Sequence, residues 1–275
     1  MSRVGWRSIR DGSGHGAVLS IDFTVAKVRG QASFADLAPQ LPEGYTTWGT
    51  DESAWPTASG ELHAQLDAWL DNGCSVDAPV RAVFGFCGAG ALAPVLAHRL
   101  AGEERPAVVL FDPIVVGPQN MIDQATDSLR QLAGPVGAEP DFDPGLPNEE
   151  LADLNVGELA TSLSGHYSAT AAEVGTRRSI RASTVADLCR RFEAYLRYLA
   201  LCSAAWSVER VEPDLIALSR GHGVPPEMSD IPIVRVDATE HALLAHPDSA
   251  RAAAEVLVSR GSQLAGSRAR RTGGD

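Results

Sequence analysis

The chain has 275 residues, of which 44% are hydrophobic, and its 35 acidic residues outnumber its 23 basic residues, giving a formal net charge of -12. A chain of this length can bury a hydrophobic core of its own, which excludes a disordered or collagen-like protein. The acidic balance argues against nucleic acid and anionic membranes as partners, because both are bound through clustered Lys and Arg that neutralise phosphates.

The cysteines are few and widely spaced. Cys74, Cys87, Cys189 and Cys202 form no C-x-x-C pair, so we expect free thiols rather than a zinc site or a disulfide framework. The polar, glycine-rich start of the chain does not have the pattern of a signal peptide, and no run of about 18 apolar residues predicts a membrane span. These features predict a cytoplasmic location.

Short apolar runs alternate with segments of helical spacing along the chain. Strands are predicted over 17–23, 46–50, 80–86, 106–111, 214–218 and 231–237, and helices over 33–41, 61–70, 89–100, 184–206 and 247–259. The run at 106–111 is apolar throughout, as in parallel strands that helices cover on both faces. The alternation predicts a doubly wound α/β sheet.

The alternation stops between 117 and 183, where Pro, Gly, Asn and Asp interrupt every periodic run. We interpret this segment as a lid inserted into one domain, whose core comprises residues 1–116 and 184–265. The tail, 266–275, is small, polar and basic, and it is predicted to be disordered.

A buried strand leads through a turn of small residues directly into a helix at Arg81-Ala-Val-Phe-Gly-Phe-Cys-Gly-Ala-Gly90. This pattern is typical of a nucleophile elbow, which holds a reactive residue in a strained turn at the top of a sheet. Cys87 occupies that position, and the following helix N-terminus is expected to lower the pKa of its thiol. The backbone N–H of Gly88 is predicted to stabilise an oxyanion. The alternative is that Cys87 is an ordinary buried small residue.

Two further residues follow predicted strands at their carboxyl ends, where catalytic groups gather in parallel sheets. Asp112 comes directly after the strand 106–111, and His241 follows the last strand. With Cys87 they give the order nucleophile, acid, base. Alternative candidates are His246 for the base, His222 as a residue that lines the site, and Glu227 or Asp230 for the acid.

Three segments together resemble the thioesterase family of the α/β-hydrolases that serves polyketide and nonribosomal peptide synthetases. They are Gly85-Phe-Cys-Gly-Ala-Gly90, Val108-Val-Leu-Phe-Asp-Pro113 and Glu240-His-Ala-Leu-Leu-Ala-His-Pro-Asp248. The resemblance runs from about Ala17 to Leu257 and implies an α/β-hydrolase fold, with a mostly parallel central sheet, helices on both faces and a helical lid insertion. It also implies that Cys87, Asp112 and His241 correspond to the family's elbow Ser, its acid and its base.

The sequence departs from the family pattern in two places. The segment Ser20-Ile-Asp-Phe-Thr-Val-Ala26 replaces the family's Pro- and Gly-rich oxyanion loop, so the N–H of Phe23 or Thr24 becomes the candidate for the second oxyanion donor. Cys87 replaces the elbow Ser. An acyl-Cys intermediate keeps the energy of the incoming thioester, so passing the acyl group to a second thiol is nearly isoenergetic.

The resemblance implies an enzyme of natural-product (antibiotic) biosynthesis that acts on acyl or aminoacyl groups held as carrier-protein thioesters. Its partners would be acyl or peptidyl carrier proteins, and it would need no cofactor beyond the phosphopantetheine arm that the carrier brings. The first hypothesis is transfer of the acyl group to another carrier thiol. The alternatives are a type II or releasing thioesterase that hydrolyses or cyclises the chain, and a non-catalytic binding protein. The start at Met1 and the loose tail favour a separate protein over a module of a synthetase.

Charge is distributed unevenly across the predicted lid. Seven carboxylates and no basic residue lie between Glu139 and Glu158, and a stretch rich in arginine begins at residue 177. A solvated surface is the simpler interpretation. The alternative is that Arg177, Arg178 and Arg181 receive the pantetheine phosphate or the acidic helix of a carrier protein.

Overall fold

The structure is a computed structural model that describes residues 2–3, 5–23, 31–51, 61–73, 78–102, 104–133 and 155–272. The chain divides into two compact units. The first unit takes in residues 1–54, 65–114 and 208–275, and the second takes in 55–64 and 115–207.

A sheet of eight described strands is the framework of the first unit. The strands are β1 (Ser2–Arg3), β2 (Trp6–Arg10), β3 (Gly16–Ile21), β4 (Tyr45–Thr50), β5 (Val80–Phe86), β6 (Ala107–Phe111), β7 (Leu215–Leu218) and β8 (Ile233–Arg235). Their spatial order is β1-β2-β4-β3-β5-β6-β7-β8. β2 pairs with β1 and β4 in antiparallel fashion, and all other neighbours are parallel. The predicted α/β class with a mostly parallel sheet is confirmed.

The six strands from β3 to β8 lie within two residues of their predicted bounds, whereas β1 and β2 were not predicted. The reason lies in the composition of β2, in which Trp6 is the only fully buried residue. A strand with one fully buried side chain has neither an apolar run nor an alternating pattern. Trp6 fixes the strand by donating its indole N–H to the carbonyl of Trp69 at 3.0 Å.

The helices of the first unit are α1 (Phe34–Leu37), α2 (Leu62–Gly73, from Gln65 onward), α3 (Leu92–Arg99) and α7 (Pro247–Thr272). α1 places Phe34 against the two central strands. Its ring centroid lies 6.3 Å from that of Phe84 on β5 and 5.8 Å from that of Phe111 on β6. The rings of Phe84 and Phe111 are also 5.8 Å apart, in an edge-to-face arrangement. This aromatic cluster packs α1 against β5 and β6 at the carboxyl-terminal part of the strands.

The last helix is longer than predicted. We expected a helix end at Ser259, but α7 continues to Thr272. The disorder predicted for the tail over 266–275 stays a prediction. In the added segment each of the two glycines disfavours the helix by about 1 kcal/mol relative to Ala. The other residues there disfavour it by no more than about 0.7 kcal/mol each, so the sequence does not interrupt the helix. Residues 273–275 lie outside the described part. Among the described helices, α7 included, none combines the length and the apolar content that a membrane span requires.

The second unit is helical, with α4 (Pro118–Ala133), α5 (Val156–Arg177) and α6 (Ala182–Ala205). The predicted lid, 117–183, falls within this unit. α6 belongs to the same unit although the sequence placed residues from 184 onward in the core. The reason is that α5 and α6 pack together as a hairpin, in which the rings of Tyr167 and Phe192 stack with centroids 4.0 Å apart. Residues 134–154, which hold most of the acidic run, lie outside the described part.

The close approach of α5 and α6 at Gly175 predicts opposite effects for two similar substitutions. A Cβ added at Gly175 would stand 2.6 Å from Cγ2 of Val185, whereas a Cβ at Gly165 on the same helix meets nothing within 4 Å. Gly165→Ala should raise the free energy of unfolding by up to about 1 kcal/mol through helix propensity. Gly175→Ala should lower it by about 1–3 kcal/mol, because the stiff Val185 side chain is overpacked.

Urea unfolding of the full chain measures both effects. Combining Gly175→Ala with Val185→Ala should recover most of the loss, because the added methyl group then has room. An equal gain in stability from Gly165→Ala and Gly175→Ala would contradict the tight helix contact.

Candidate active site

The residues of the candidate site follow three neighbouring parallel strands, β3, β5 and β6, at one edge of the sheet. Phe86 lies opposite Phe111 in the β5–β6 register, so Cys87 and Asp112, the next residues along each chain segment, emerge side by side. In the β3–β5 register Ile21 lies opposite Gly85. Asp22 therefore emerges beside them. Carboxyl ends of parallel strands are where such sheets place their ligands and catalytic groups.

The turn after β5 forces Cys87 into an unusual backbone conformation. Phe86 is still extended (φ -115°, ψ 134°), Cys87 has φ 55°, and a 3₁₀ turn over Cys87–Gly90 leads into α3. The turn needs small residues on both sides. A Cβ at Gly85 would stand 2.8 Å from the carbonyl oxygen of Ala89, and a Cβ at Gly90 would stand 2.8 Å from Cβ of Pro113. This is the strand, tight turn and helix that the sequence pattern predicts.

Burial raises the pKa of the Cys87 thiol to about 11, and the negative charges of Glu240, Asp22 and Asp112 act in the same direction. The backbone N–H of Gly88 lowers the pKa but is outweighed. The expectation that a helix N-terminus lowers this pKa is therefore wrong. The lowering of the pKa at the short 3₁₀ turn is smaller than the increase caused by burial and by three carboxylates. At neutral pH the thiol is protonated, so its reaction as a nucleophile requires a base.

Asp112 is 1% exposed and also has a positive φ, 43°. Its backbone N–H donates to the carbonyl of Ala217 on β7 at 3.0 Å, and its Oδ1 accepts the N–H of Ser219 at 2.7 Å. Its Oδ2 is buried and has no hydrogen-bond partner among the described residues. A buried carboxylate oxygen without a donor costs about 1–3 kcal/mol. This oxygen is therefore a ready acceptor for an incoming N–H group.

His241 lies in a 3₁₀ turn over Glu240–Ala245, where it is exposed. Its carbonyl accepts the N–H of Ala32 at 2.8 Å, but its imidazole has no hydrogen bond or ion pair with any described residue. The structure thus brings Cys87 and Asp112 together without joining His241 to them. The assignment of His241 as the base stays a prediction.

His222, predicted to line the site, and His246, the alternative base, differ in their surroundings. His222 lies after β7, with Nδ1 3.8 Å from Oδ1 of Asp112 and Nε2 3.3 Å from the carbonyl oxygen of Pro113. His246 pairs instead with its neighbour Asp248, at 3.7 Å from Nδ1 to Oδ2. Of the two, His222 is the imidazole beside the candidate acid. The alternative acids Glu227 and Asp230 are exposed in the chain segment between β7 and β8.

The oxyanion donors stay predictions as well. The N–H of Gly88 is hydrogen-bonded to Cys87 in this state, Phe23 is buried just beyond β3, and Thr24 lies outside the described residues. The sequence reasoning missed Asp22, whose charge reaches the thiol. Asp22 could have been recognised as a residue that follows a strand, but the predicted strand extended to Phe23 and so included Asp22.

The three arginines of the predicted docking surface lie together at the turn between α5 and α6, and all are exposed. Arg177 pairs with Glu173 on its own helix at 2.5 Å. Arg178 and Arg181 form no ion pair with a described residue. Their role in docking stays a prediction. Within the described ranges, no group of three or more His, Cys, Asp or Glu side chains is arranged to hold a metal ion.

No family model matches the chain, and no curated protein matches its sequence. Solved structures do match. The NocB thioesterase domain, in a covalent complex with a fluorophosphonate nocardicin G analogue, has a TM-score of 0.50 and 13% identity, covering 92% of this chain and 99% of that one. The chain has the α/β-hydrolase fold. The predicted fold class is thus confirmed, and the resemblance to thioesterase domains holds for the fold.

Two further structures match with lower scores. An α/β-hydrolase fold protein from Nakamurella multipartita has a TM-score of 0.42 and 16% identity, with 95% of this chain and 99% of that chain covered. The four-domain nonribosomal peptide synthetase holo-AB3403 has a TM-score of 0.46 and 15% identity. The match covers 94% of this chain but 20% of the synthetase, so the chain spans a fifth of that protein's length.

The raised pKa of Cys87 predicts slow alkylation at neutral pH. In a variant carrying Cys74→Ser, Cys189→Ser and Cys202→Ala, Cys87 is the one remaining thiol. Intact mass measures its reaction with iodoacetamide. The rate constant should rise with pH along a titration curve whose midpoint lies near pH 11, not near the ordinary thiol pKa of 9.0. Glu240→Gln removes one of the negative charges and should move the midpoint to lower pH.

The exposed Glu255 on α7 offers a matched control. Glu255→Gln makes the same change of charge outside the set of groups that raise the thiol pKa, and it should leave the midpoint in place. A midpoint near 9.0 in the parent variant, or an unchanged midpoint in Glu240→Gln, would contradict this account of the site.

Proposed function

We propose that the chain is a thioesterase-like enzyme of natural-product biosynthesis that works through an acyl-Cys87 intermediate. The observation that supports it best is the backbone of Cys87 and Asp112. Among the described non-glycine residues, three have positive φ, and these two stand at neighbouring strand ends. Such a conformation costs an L-residue about 1–2 kcal/mol, and strain of this kind concentrates at active sites.

The buried free oxygen of Asp112 supports the assignment of the acid. In a nucleophile–imidazole–carboxylate triad the carboxylate accepts the imidazole N–H, holds the ring in the right tautomer and stabilises its cation. Oδ1 of Asp112 is engaged by Ser219, and Oδ2 is free among the described residues. We assign Oδ2 to the imidazole of the base.

His241 is the base in this proposal. The neighbouring residue, Glu240, is close enough for its charge to affect the Cys87 thiol. The exposed imidazole of His241 has no hydrogen bond or ion pair with a described residue. A turn of this ring toward Cys87 would complete the triad on substrate binding. Hydrogen bonds of catalytic groups are often incomplete before the substrate arrives.

The reaction then proceeds in two balanced steps. His241 takes the proton of Cys87, the thiolate attacks the thioester carbonyl, and the carrier thiol leaves with the proton that His241 returns. In the second step His241 takes the proton of the acceptor thiol, and the acceptor thiolate attacks the carbonyl of acyl-Cys87. The bond between the acyl group and Cys87 breaks, and His241 returns the proton to the Cys87 sulfur. The N–H of Gly88, with that of Phe23 or Thr24, would stabilise the tetrahedral oxyanion.

The acceptor distinguishes this proposal from its closest alternative. Transfer to another carrier thiol exchanges one thioester for another, whereas a releasing thioesterase passes the group to water or to an internal nucleophile. The enzyme in either case uses no cofactor of its own, because the phosphopantetheine arm belongs to the carrier protein. The non-catalytic binding protein is the second candidate function, and the raised pKa of Cys87 together with the unengaged ring of His241 favours it.

Intact mass after incubation with a loaded acyl carrier protein tests the proposed intermediate. The unmodified chain and a Cys189→Ser control should gain the mass of the acyl group, and Cys87→Ala should not. Asp112→Asn and His241→Ala should slow adduct formation at least about a hundredfold, the contribution typical of a positioned base. An adduct that survives Cys87→Ala, or no adduct in any form, would rule out the intermediate.

The same adduct separates transfer from release. Addition of an unloaded second carrier should move the acyl group to that carrier, whereas a releasing thioesterase would give the free acid or a cyclic product. Cys87→Ser is a useful companion, because an acyl-Ser oxyester gives up the thioester's energy. It should retain its acyl group in the presence of the second carrier.

Charge reversal tests the carrier surface. We propose that Arg177, Arg178 and Arg181 bind an acidic carrier protein, because they are exposed together at one helix turn. Their combined replacement by Glu should raise the KM for the acyl carrier protein at least about tenfold at low ionic strength and leave the KM for a small pantetheine thioester unchanged. Steady-state kinetics with both substrates measures the difference.

A control needs the same change of net charge elsewhere. Arg7→Glu, Arg130→Glu and Arg251→Glu together reverse three other exposed arginines. This variant should keep the KM for the carrier substrate within about twofold of the original. Equal losses on both substrates in the first variant would show that its arginines do not form a carrier surface.

A further inference from the structure

We infer that His222 is a positioning residue for the catalytic carboxylate, acting on Oδ1 of Asp112 while the base takes Oδ2. This inference rests on the triad proposed above and adds a residue that the triad does not contain. It concerns the chain segment after β7, which encloses one side of Asp112 through both backbone and side-chain groups.

Asp112 has hydrogen-bond partners both on β7 and in the segment that follows it. The carbonyl of Ala217 accepts the N–H of Asp112, and the N–H of Ser219 donates to Oδ1 at 2.7 Å. Nδ1 of His222 lies 3.8 Å from Oδ1, at the distance of an ion pair rather than a hydrogen bond. One carboxylate oxygen is therefore held by the segment after β7, and the other is left for a different donor.

The surroundings of the His222 ring define its role. Nε2 lies 3.3 Å from the carbonyl oxygen of Pro113, which can only accept, so this nitrogen must carry a proton to form the bond. Nδ1 faces Oδ1 of the Asp112 carboxylate at 3.8 Å. A ring held in this way lies against Oδ1 and restricts the orientation of the carboxylate. Because Nε2 is engaged by the Pro113 carbonyl, this nitrogen is not free to take the thiol proton of Cys87.

The backbone keeps this ring in place. Gly221 has φ 82°, a left-handed conformation that turns the chain after Arg220, and the N–H of His222 donates back to the carbonyl of Ser219 at 3.3 Å. The carbonyl of His222 accepts from the Arg235 guanidinium at 2.5 Å. The side chain is 21% exposed, whereas His241 is exposed. A fixed, partly buried ring suits a positioning role, and an exposed ring suits a base that has to move.

The test is a double-mutant cycle between His222→Gln and Asp112→Asn, read on steady-state acyl transfer from a small pantetheine thioester to a free pantetheine thiol. Gln keeps a donor for the Pro113 carbonyl but removes the ring nitrogen that faces Asp112. In the unmodified background His222→Gln should lower kcat about tenfold and change KM less than about twofold. In the Asp112→Asn background it should lower kcat less than about twofold, because the carboxylate on which it acts is gone.

His98→Gln is the matched control. It removes an imidazole whose Nε2 stands 3.7 Å from Oε2 of Glu209, a pair of the same kind that is not part of the candidate site, and it should leave kcat unchanged. Urea unfolding verifies that each variant is folded, and His222→Asn replaces His222→Gln if that variant is not.

Each outcome decides the matter. Loss of kcat that disappears in the Asp112→Asn background supports the inference, whereas an equal loss in both backgrounds marks His222 as a packing residue and overturns it. An unchanged kcat in folded His222→Gln also overturns the inference while the proposed function stands. No adduct in the unmodified chain defeats the proposed function, and this inference with it.

Discussion

The parallel register of β3, β5 and β6 is the constraint on which the rest of the site depends. It fixes the positions of Ile21, Phe86 and Phe111 along their strands. The residues that follow them therefore lie side by side at one edge of the sheet. The aromatic cluster beneath these strands and the two close approaches at Gly85 and Gly90 serve that register. A slip of one residue would turn Cys87 and Asp112 to opposite faces of the sheet.

The elements that set this register could be predicted from the sequence, because β5 and β6 are apolar on both faces and therefore conspicuous. The helices of the second unit were harder. α5 contains many Ala, Gly, Ser and Thr residues, which pack closely without producing a regular hydrophobic repeat. Its partner α6 has a clear repeat, but nothing in that repeat states which neighbour it packs against.

The electrostatics of Cys87 show where local reasoning ends. A cysteine at the start of a helix predicts an easily ionised thiol, and that argument uses only adjacent residues. Burial of the thiol outweighs it, and the charges of Glu240 and Asp22 add to the effect of burial. Both carboxylates are remote from Cys87 in sequence and reach the thiol through the fold alone. The contact between His222 and Asp112 is of the same kind, since it depends on the order in which β6 and β7 pair.

The raised pKa of Cys87 also bears on how long such a protein stays intact under oxidising conditions. Peroxides attack the thiolate, and a thiol whose pKa is about 11 is ionised in about one molecule in ten thousand at pH 7. Sulfenic acid formation at Cys87 is therefore slowed. The burial and acidic surroundings that keep the thiol protonated also protect the sulfur from oxidation.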